Sequence, residues 1–166
     1  MMKYMARALS LFAIGAIIAL SSLRPVAAQT KDPSSAMMAP VYAAVIGETG
    51  AVEMLTNAYT SDPIIVDEFA PYEWSGPNAV RQYASDLRAW LRAGGLKSVH
   101  VTFDAVRFWD AKGDRAWITV PATFSFTING KLGSESGTFA IVLVRINGAW
   151  KVKSSSWTTT SFASER

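Results

Sequence analysis

From about residue 98 to residue 158 apolar and polar positions alternate, the period of strands with one covered face. Two Asn-Gly pairs, Asn129-Gly130 and Asn147-Gly148, interrupt the alternation. Asn-Gly readily takes the positive φ that a two-residue hairpin turn needs. A meander of strands over roughly 98–109, 115–128, 131–146 and 149–158 is therefore predicted. Fixed turns fix the register. The first turn pairs Ile128 with Lys131, Phe124 with Glu135, Ala122 with Gly137, Val120 with Phe139 and Ile118 with Ile141. The second pairs Arg145 with Trp150, Leu143 with Val152, Ile141 with Ser154 and Phe139 with Ser156.

Sorting by face gathers Phe103, Val106, Phe108, Ile118, Val120, Phe124, Phe126, Phe139, Ile141, Leu143 and Val152 on one side, with Glu135, Ser154 and Ser156 among them. Trp117, Val142, Val144, Ile146, Trp157 and the single histidine, His100, fall on the other side. In the first strand the apolar phase slips from odd (Val99, Val101, Phe103) to even (Val106, Phe108), so a bulge is expected near Asp104-Ala105. Pro121 donates nothing to a ladder and marks a bulge or an unpaired stretch.

Ahead of the meander the period changes. A helix is expected from Asp32-Pro33 to about Ile46, with Asp32 as cap and Pro33 in the first turn. A short helix over about 51–59 and a β-branched strand, Ile64-Ile65-Val66, come next. An acidic and aromatic loop, 67–74, leads to a third helix capped by Ser75. Its apolar stripe is Val80, Tyr83, Ala84, Leu87 and Leu91, and Gly94-Gly95 ends it. The expected class is α+β: N-terminal helices packed on a strongly bent, mostly antiparallel sheet that forms a cone.

Lys3 and Arg7, the apolar run Ala8 to Leu20, and Val26-Ala27-Ala28 together read as a secretory signal over residues 1–28. The run is short for a membrane span, so no stable insertion is expected after cleavage. The chain is then exported, to a periplasm or the exterior. Removing 28 of 166 residues leaves 138, enough for one domain over 34–160 between a linker at 29–33 and a tail at 161–166. The leader holds Lys3, Arg7 and Arg24 and no acid, so of 16 basic and 13 acidic side chains the remainder keeps 13 of each. A neutral domain offers no basic face for nucleic acid. With no Cys there is neither a disulfide framework nor a lipid attachment point. One His and no Cys make no familiar metal spacing, and no phosphate loop is present, so neither metal nor cofactor is expected.

The order of helices, short strand and bent meander resembles the nuclear transport factor 2-like superfamily, with its ketosteroid-isomerase-like and SnoaL-like families. The residues that carry the resemblance are Tyr42-Ala43-Ala44-Val45-Ile46, Ile65-Val66-Asp67, Trp74-Ser75-Gly76 and Arg145-Ile146-Asn147-Gly148-Ala149-Trp150-Lys151-Val152. In ketosteroid isomerases a carboxylate before the Ser-Gly helix start is the general base, and Asp67 takes the matching place. A first-helix tyrosine donates to the oxyanion there, and Tyr42 is its counterpart. The second donor is a protonated Asp on the third meander strand. The matching stretch here, Ala140 to Val144, is apolar throughout.

The resemblance and the register together imply a pocket for a small, apolar molecule. Asp67 is the candidate base, Tyr42 a hydrogen-bond donor and Glu135 a second acid. The lining would be Tyr72, Trp74, Phe103, Phe124, Phe139, Ser154 and Ser156. Cofactor-free isomerase, lyase or cyclase chemistry is one reading. A non-catalytic dimeric module that binds a ligand or a protein is the other. Asp67 equally suits a carboxylate bonded to its own loop, and Trp74 a staple between loop and third helix. The apolar residues of the outer sheet face suit a homodimer.

Overall fold

The computed structural model describes residues 32–50 and 52–164. The expected signal segment, 1–28, lies outside the described residues. Three helices come first: α1 (Ser35–Glu48), α2 (Val52–Ala58) and, after two strands, α3 (Ala79–Ala93). The strands are β1 (Tyr59–Val66), β2 (Glu73–Ser75), β3 (Leu96–Phe103), β4 (Phe108–Lys112), β5 (Arg115–Ile128), β6 (Lys131–Ile146) and β7 (Ala149–Ser164). They form one curled sheet in the order β2-β1-β7-β6-β5-β3, with β4 also on β5. Only β1 and β7 run parallel among the described pairs. The helices close the concave face, as expected for α+β, and the core lies between the layers.

The two turns are as read from Asn-Gly: Asn129, Gly130, Asn147 and Gly148 have φ of 52°, 80°, 50° and 82°. Every predicted β5–β6 pair is present, Phe124 opposite Glu135 included. In the β6–β7 hairpin the register holds only as far as Leu143 opposite Val152. Next come Val142 opposite Ser154, Ile141 opposite Ser155 and Phe139 opposite Trp157. Lys153 is thus an extra residue, and it inverts the side chains from Ser154 to Thr159, until a second shift at Thr160 restores the phase. Ser154 and Ser156, expected inside, point outward; Ser155 and Trp157, expected outside, point in and are buried. The physical reason is Trp157. The bulge exchanges a serine for an indole on the covered face, and an indole buries far more apolar surface. Gly137 leaves room for it, since a Cβ there would stand 2.5 Å from the Trp157 ring. The Lys153 ammonium bonds the carbonyl of Asp62 on β1, which anchors the bulge.

The first meander strand is two strands. Phe103 faces Ala122 and Phe108 faces Thr119, so five steps on one side oppose three on the other. Two extra residues keep the phase, contrary to the single-residue slip expected. Trp109, opposite Ile118, returns to the inner face, whereas Phe108 is 49% exposed on the outer one. The break falls at Pro121, whose carbonyl accepts from the Asp104 N–H, as a residue without a donor predicts. A one-residue shift does occur earlier, at Ser98, where φ is +53°. Smaller differences lie at the ends. Ser34 rather than Asp32 caps α1, accepting from the Met37 N–H. Asn78 rather than Ser75 precedes α3. The β7 strand runs to Ser164, through residues expected as tail.

Candidate functional site

The curled sheet and α3 leave a cavity of about 310 Å³ between them. One end is acidic. Glu48 enters from the last turn of α1, Asp67 from just beyond β1, and Glu135 from β6. The walls are apolar and aromatic: Phe69, Leu87 and Trp90 on one side, Phe124, Phe126 and Trp157 on the other.

Asp67 is held from two directions. Its Oδ2 accepts from the Tyr83 hydroxyl at 2.7 Å, and its Oδ1 from the Glu68 N–H at 2.6 Å. Burial raises its pKa; these two bonds oppose the rise, while the charges of Glu135 and Glu68 add to it. The two sequence readings of Asp67, cavity carboxylate and loop-bonded carboxylate, are therefore both present. Glu48 is pushed well above the usual carboxylate range, first by burial and then by the charge of Asp67, with the Tyr83 hydroxyl opposing. Two acids and one phenol thus share one low-dielectric end of the cavity. Tyr83 and Tyr59 are themselves raised, first by burial and then by Glu48, which keeps both hydroxyls protonated as donors. The Tyr59 hydroxyl lies 2.7 Å from Ser155 Oγ, one of the residues the bulge turns inward.

Glu135 belongs to a second set of bonds. Its Oε1 accepts from Trp157 Nε1 at 2.8 Å and from Thr159 Oγ1 at 2.5 Å. The Thr159 N–H in turn donates to Glu68 Oε1 at 2.7 Å, tying the loop after β1 to β7 across the cavity mouth. Glu68, which alternation alone places on the surface, is exposed yet contributes to this rim.

The candidates named from sequence divide. Asp67, Glu135 and Phe124 line the cavity together. Phe139 is buried behind the wall, its ring 4.5 Å from that of Trp157. Tyr42 does not open into the cavity. It is 38% exposed and packs on Phe103, 4.8 Å between ring centres. The stripe Val41, Ala44, Val45 faces inward and continues to Glu48, leaving Tyr42 and Phe103 on the flank. Trp74 is the staple: buried, its Nε1 donating to Asp86 of α3 at 2.8 Å, its ring 5.0 Å from Tyr83. Tyr72 is 61% exposed at φ +74°. Ser154 and Ser156 lie on the outer face, as does His100, opposite Ser125. Of the outer apolar residues, Trp117 and Ile146 are each 45% exposed.

Sequence reasoning missed Glu48, Tyr83, Trp157 and Thr159. Glu48 carried a signal: positions 41, 44, 45 and 48 repeat at helical spacing, which puts a carboxylate on the covered stripe. Tyr83 was visible as part of the α3 stripe, although its hydroxyl had no partner to suggest a role. Trp157 sits five residues from Val152, an odd spacing that breaks the strand period as a bulge does.

Residues 35–158 match the family described as SnoaL-like domain. Similar solved structures include the hexachlorocyclohexane dehydrochlorinase LinA-type3 from Novosphingobium barchaimii LL02. It is 12% identical with a TM-score of 0.66, over 78% of this chain and 88% of that one. An NTF2-like protein with a cystatin-like fold from Novosphingobium aromaticivorans is 16% identical with a TM-score of 0.59, over 75% and 79% of the two chains. A protein of the same organism, provisionally assigned as a scytalone dehydratase, is 13% identical with a TM-score of 0.59, over 79% and 83%. At such identities the likeness is one of fold. No curated protein matches the sequence.

Proposed function

Because the chain belongs to the SnoaL-like domain family, we propose that its cavity binds a small, largely apolar molecule and moves a proton on it without a cofactor. The observation that carries this reading is the meeting of Asp67, Glu48 and Glu135 at one end of a cavity with aromatic walls. Asp67 is the base. A carboxylate raised by burial accepts a proton from carbon more readily than a solvated one. Tyr83 orients it through the 2.7 Å bond. Tyr42, whose ring lies on the flank, is not assigned the donor role. Glu48, held above its ordinary range, is a proton donor for the charge that develops on the substrate. This division supports isomerase, lyase or cyclase chemistry, since each removes a proton at one atom while negative charge or a leaving group develops at another, where an acid such as Glu48 can donate a proton.

The test starts from ligands retained on purification, identified by mass spectrometry, and follows their conversion. Asp67→Asn is expected to keep the fold and the bound compound and to lose turnover. Equal turnover in the variant would remove Asp67 as base. A retained compound that the wild-type chain never converts would favour the non-catalytic module. We further propose that the chain is exported after cleavage behind Ala28, which the N-terminal mass of the mature protein tests. We also propose that it pairs with a second copy through the outer sheet face around Trp117 and Ile146. Native mass spectrometry showing a monomer at micromolar concentration would exclude that pairing.

A further inference from the structure

The cavity walls carry acids and rings but no cation. Glu48, Asp67, Glu68 and Glu135 line it, and no Lys, Arg or His does so among the described residues. Each acid is bonded only to neutral donors: Tyr83, Trp157, Thr159 and backbone N–H groups. Among the described residues no side chain of the lining supplies the opposite charge. The ion pairs Arg145 with Asp114 and Lys153 with Asp62 involve no residue of the cavity lining. A group of partly buried acids without a counter-charge carries a desolvation cost that a cationic occupant offsets.

The walls point the same way. Phe69 and Trp90 stack with ring centres 5.4 Å apart and planes 22° from parallel. Facing them, Phe124 meets Trp157 edge-on at 5.2 Å. Ring faces attract an organic cation, most strongly where water is excluded. The volume of about 310 Å³ suits a molecule of one or two rings.

We propose that the ligand of this cavity is a lipophilic amine: an aromatic or alicyclic body among the rings, and a protonated or quaternary nitrogen at the Glu48, Asp67 and Glu135 end. This rests on the reading of the cavity as a small-molecule site and adds the charge of the molecule it takes. A neutral molecule of equal shape brings no counter-charge, so burial keeps favouring the protonated forms of Glu48 and Asp67, and an anion meets any ionised acid with like charge. Binding also changes with pH. Glu48 and Asp67 hold protons above the usual carboxylate range, and a cation competes with those protons. Of the other groups facing them, Glu68 and Glu135 are acids and Tyr59 and Tyr83 stay neutral. Affinity for a fixed cation therefore rises with pH.

Trp90 and Trp157 line the cavity and report occupancy by fluorescence. The probes are (1-naphthylmethyl)trimethylammonium, whose charge is fixed, neutral 1-naphthalenemethanol and anionic 1-naphthoate. The expected order is cation first by about tenfold over the alcohol, with the anion weakest. Cation affinity should rise between about pH 5 and about pH 8, with alcohol affinity changing less. Glu48→Gln should reduce the preference for the cation while leaving the alcohol bound. If the alcohol binds as tightly as the cation, the proposal falls and the cavity reading stands. If no probe binds, both fall.

Discussion

Replacing Trp157 with Phe tests the register on which the site depends. In the folded chain the indole is buried, its ring centre 4.5 Å from Phe139 and 5.2 Å from Phe124. Its Nε1 donates to Glu135 at 2.8 Å. Phenylalanine keeps one ring and loses that donor. A hydrogen bond to a carboxylate contributes about 1.5–3 kcal/mol, and Thr159 still donates to the same oxygen, so the lower end, about 1.5 kcal/mol, applies. The missing part of the indole removes roughly 40 Å² of apolar contact, about 1 kcal/mol. The expected destabilisation is thus about 2.5 kcal/mol, a fall in Tm of roughly 8 °C for a domain of this size. Tyr72→Phe, at a residue 61% exposed, is the control and should change stability by less than about 0.5 kcal/mol. Urea unfolding followed by circular dichroism measures both. Equal, small effects at the two positions would mean that Trp157 faces outward, as regular alternation from the Asn147-Gly148 turn dictates. The bulge at Lys153, and the inward set of Ser155 and Trp157, would then be refuted.

Two further substitutions probe the acids. Glu48 has a raised pKa in the folded chain, so the native state binds more protons than the unfolded one above the ordinary carboxylate value, and stability falls as pH rises through that window. Glu48→Gln removes the dependence; its stability relative to wild type should rise from pH 4.5 to pH 7.5 by about 1.4 kcal/mol for each unit by which the carboxyl is raised. A difference that does not change with pH in urea titrations would place Glu48 in solvent. Tyr83→Phe deletes the 2.7 Å bond that opposes the rise of Asp67, so the Asp67 titration should move further up and the fraction ready to accept a proton at neutral pH should fall. An unmoved Asp67 carbon signal would show that the tyrosine does not hold it.

Much of the fold was legible because turns and alternation act locally. Asn129-Gly130 and Asn147-Gly148 each permit one tight turn, and the β5–β6 pairs follow from the first by counting. Asp67, Glu135 and Phe124 reach the cavity because their positions depend on that count and on the strand end before α3. What counting could not settle were the insertions. Three consecutive serines, 154–156, have no preferred face, so only Trp157 beyond them discloses the slip. Near Phe108 the signal misled. Val106 packs inward from the irregular stretch between β3 and β4, which imitates a one-residue slip where two residues are inserted. Tyr42 and Glu48 lie six positions apart on one helix, and which of them enters the cavity is decided by how α1 rolls on the sheet. That is a tertiary choice, although the apolar stripe through Val41, Ala44 and Val45 already favours Glu48.

The gathering of Glu48 and Asp67 at one poorly solvated end of the cavity is tested most directly by carboxyl carbon NMR titration of the wild-type chain and of Asp67→Asn. In the wild type both groups should titrate above the usual range for carboxylates. In the variant the Glu48 midpoint should move down, because the like charge that helps to raise it is gone. A Glu48 that titrates like a free side chain, or that is indifferent to residue 67, would contradict the shared chamber.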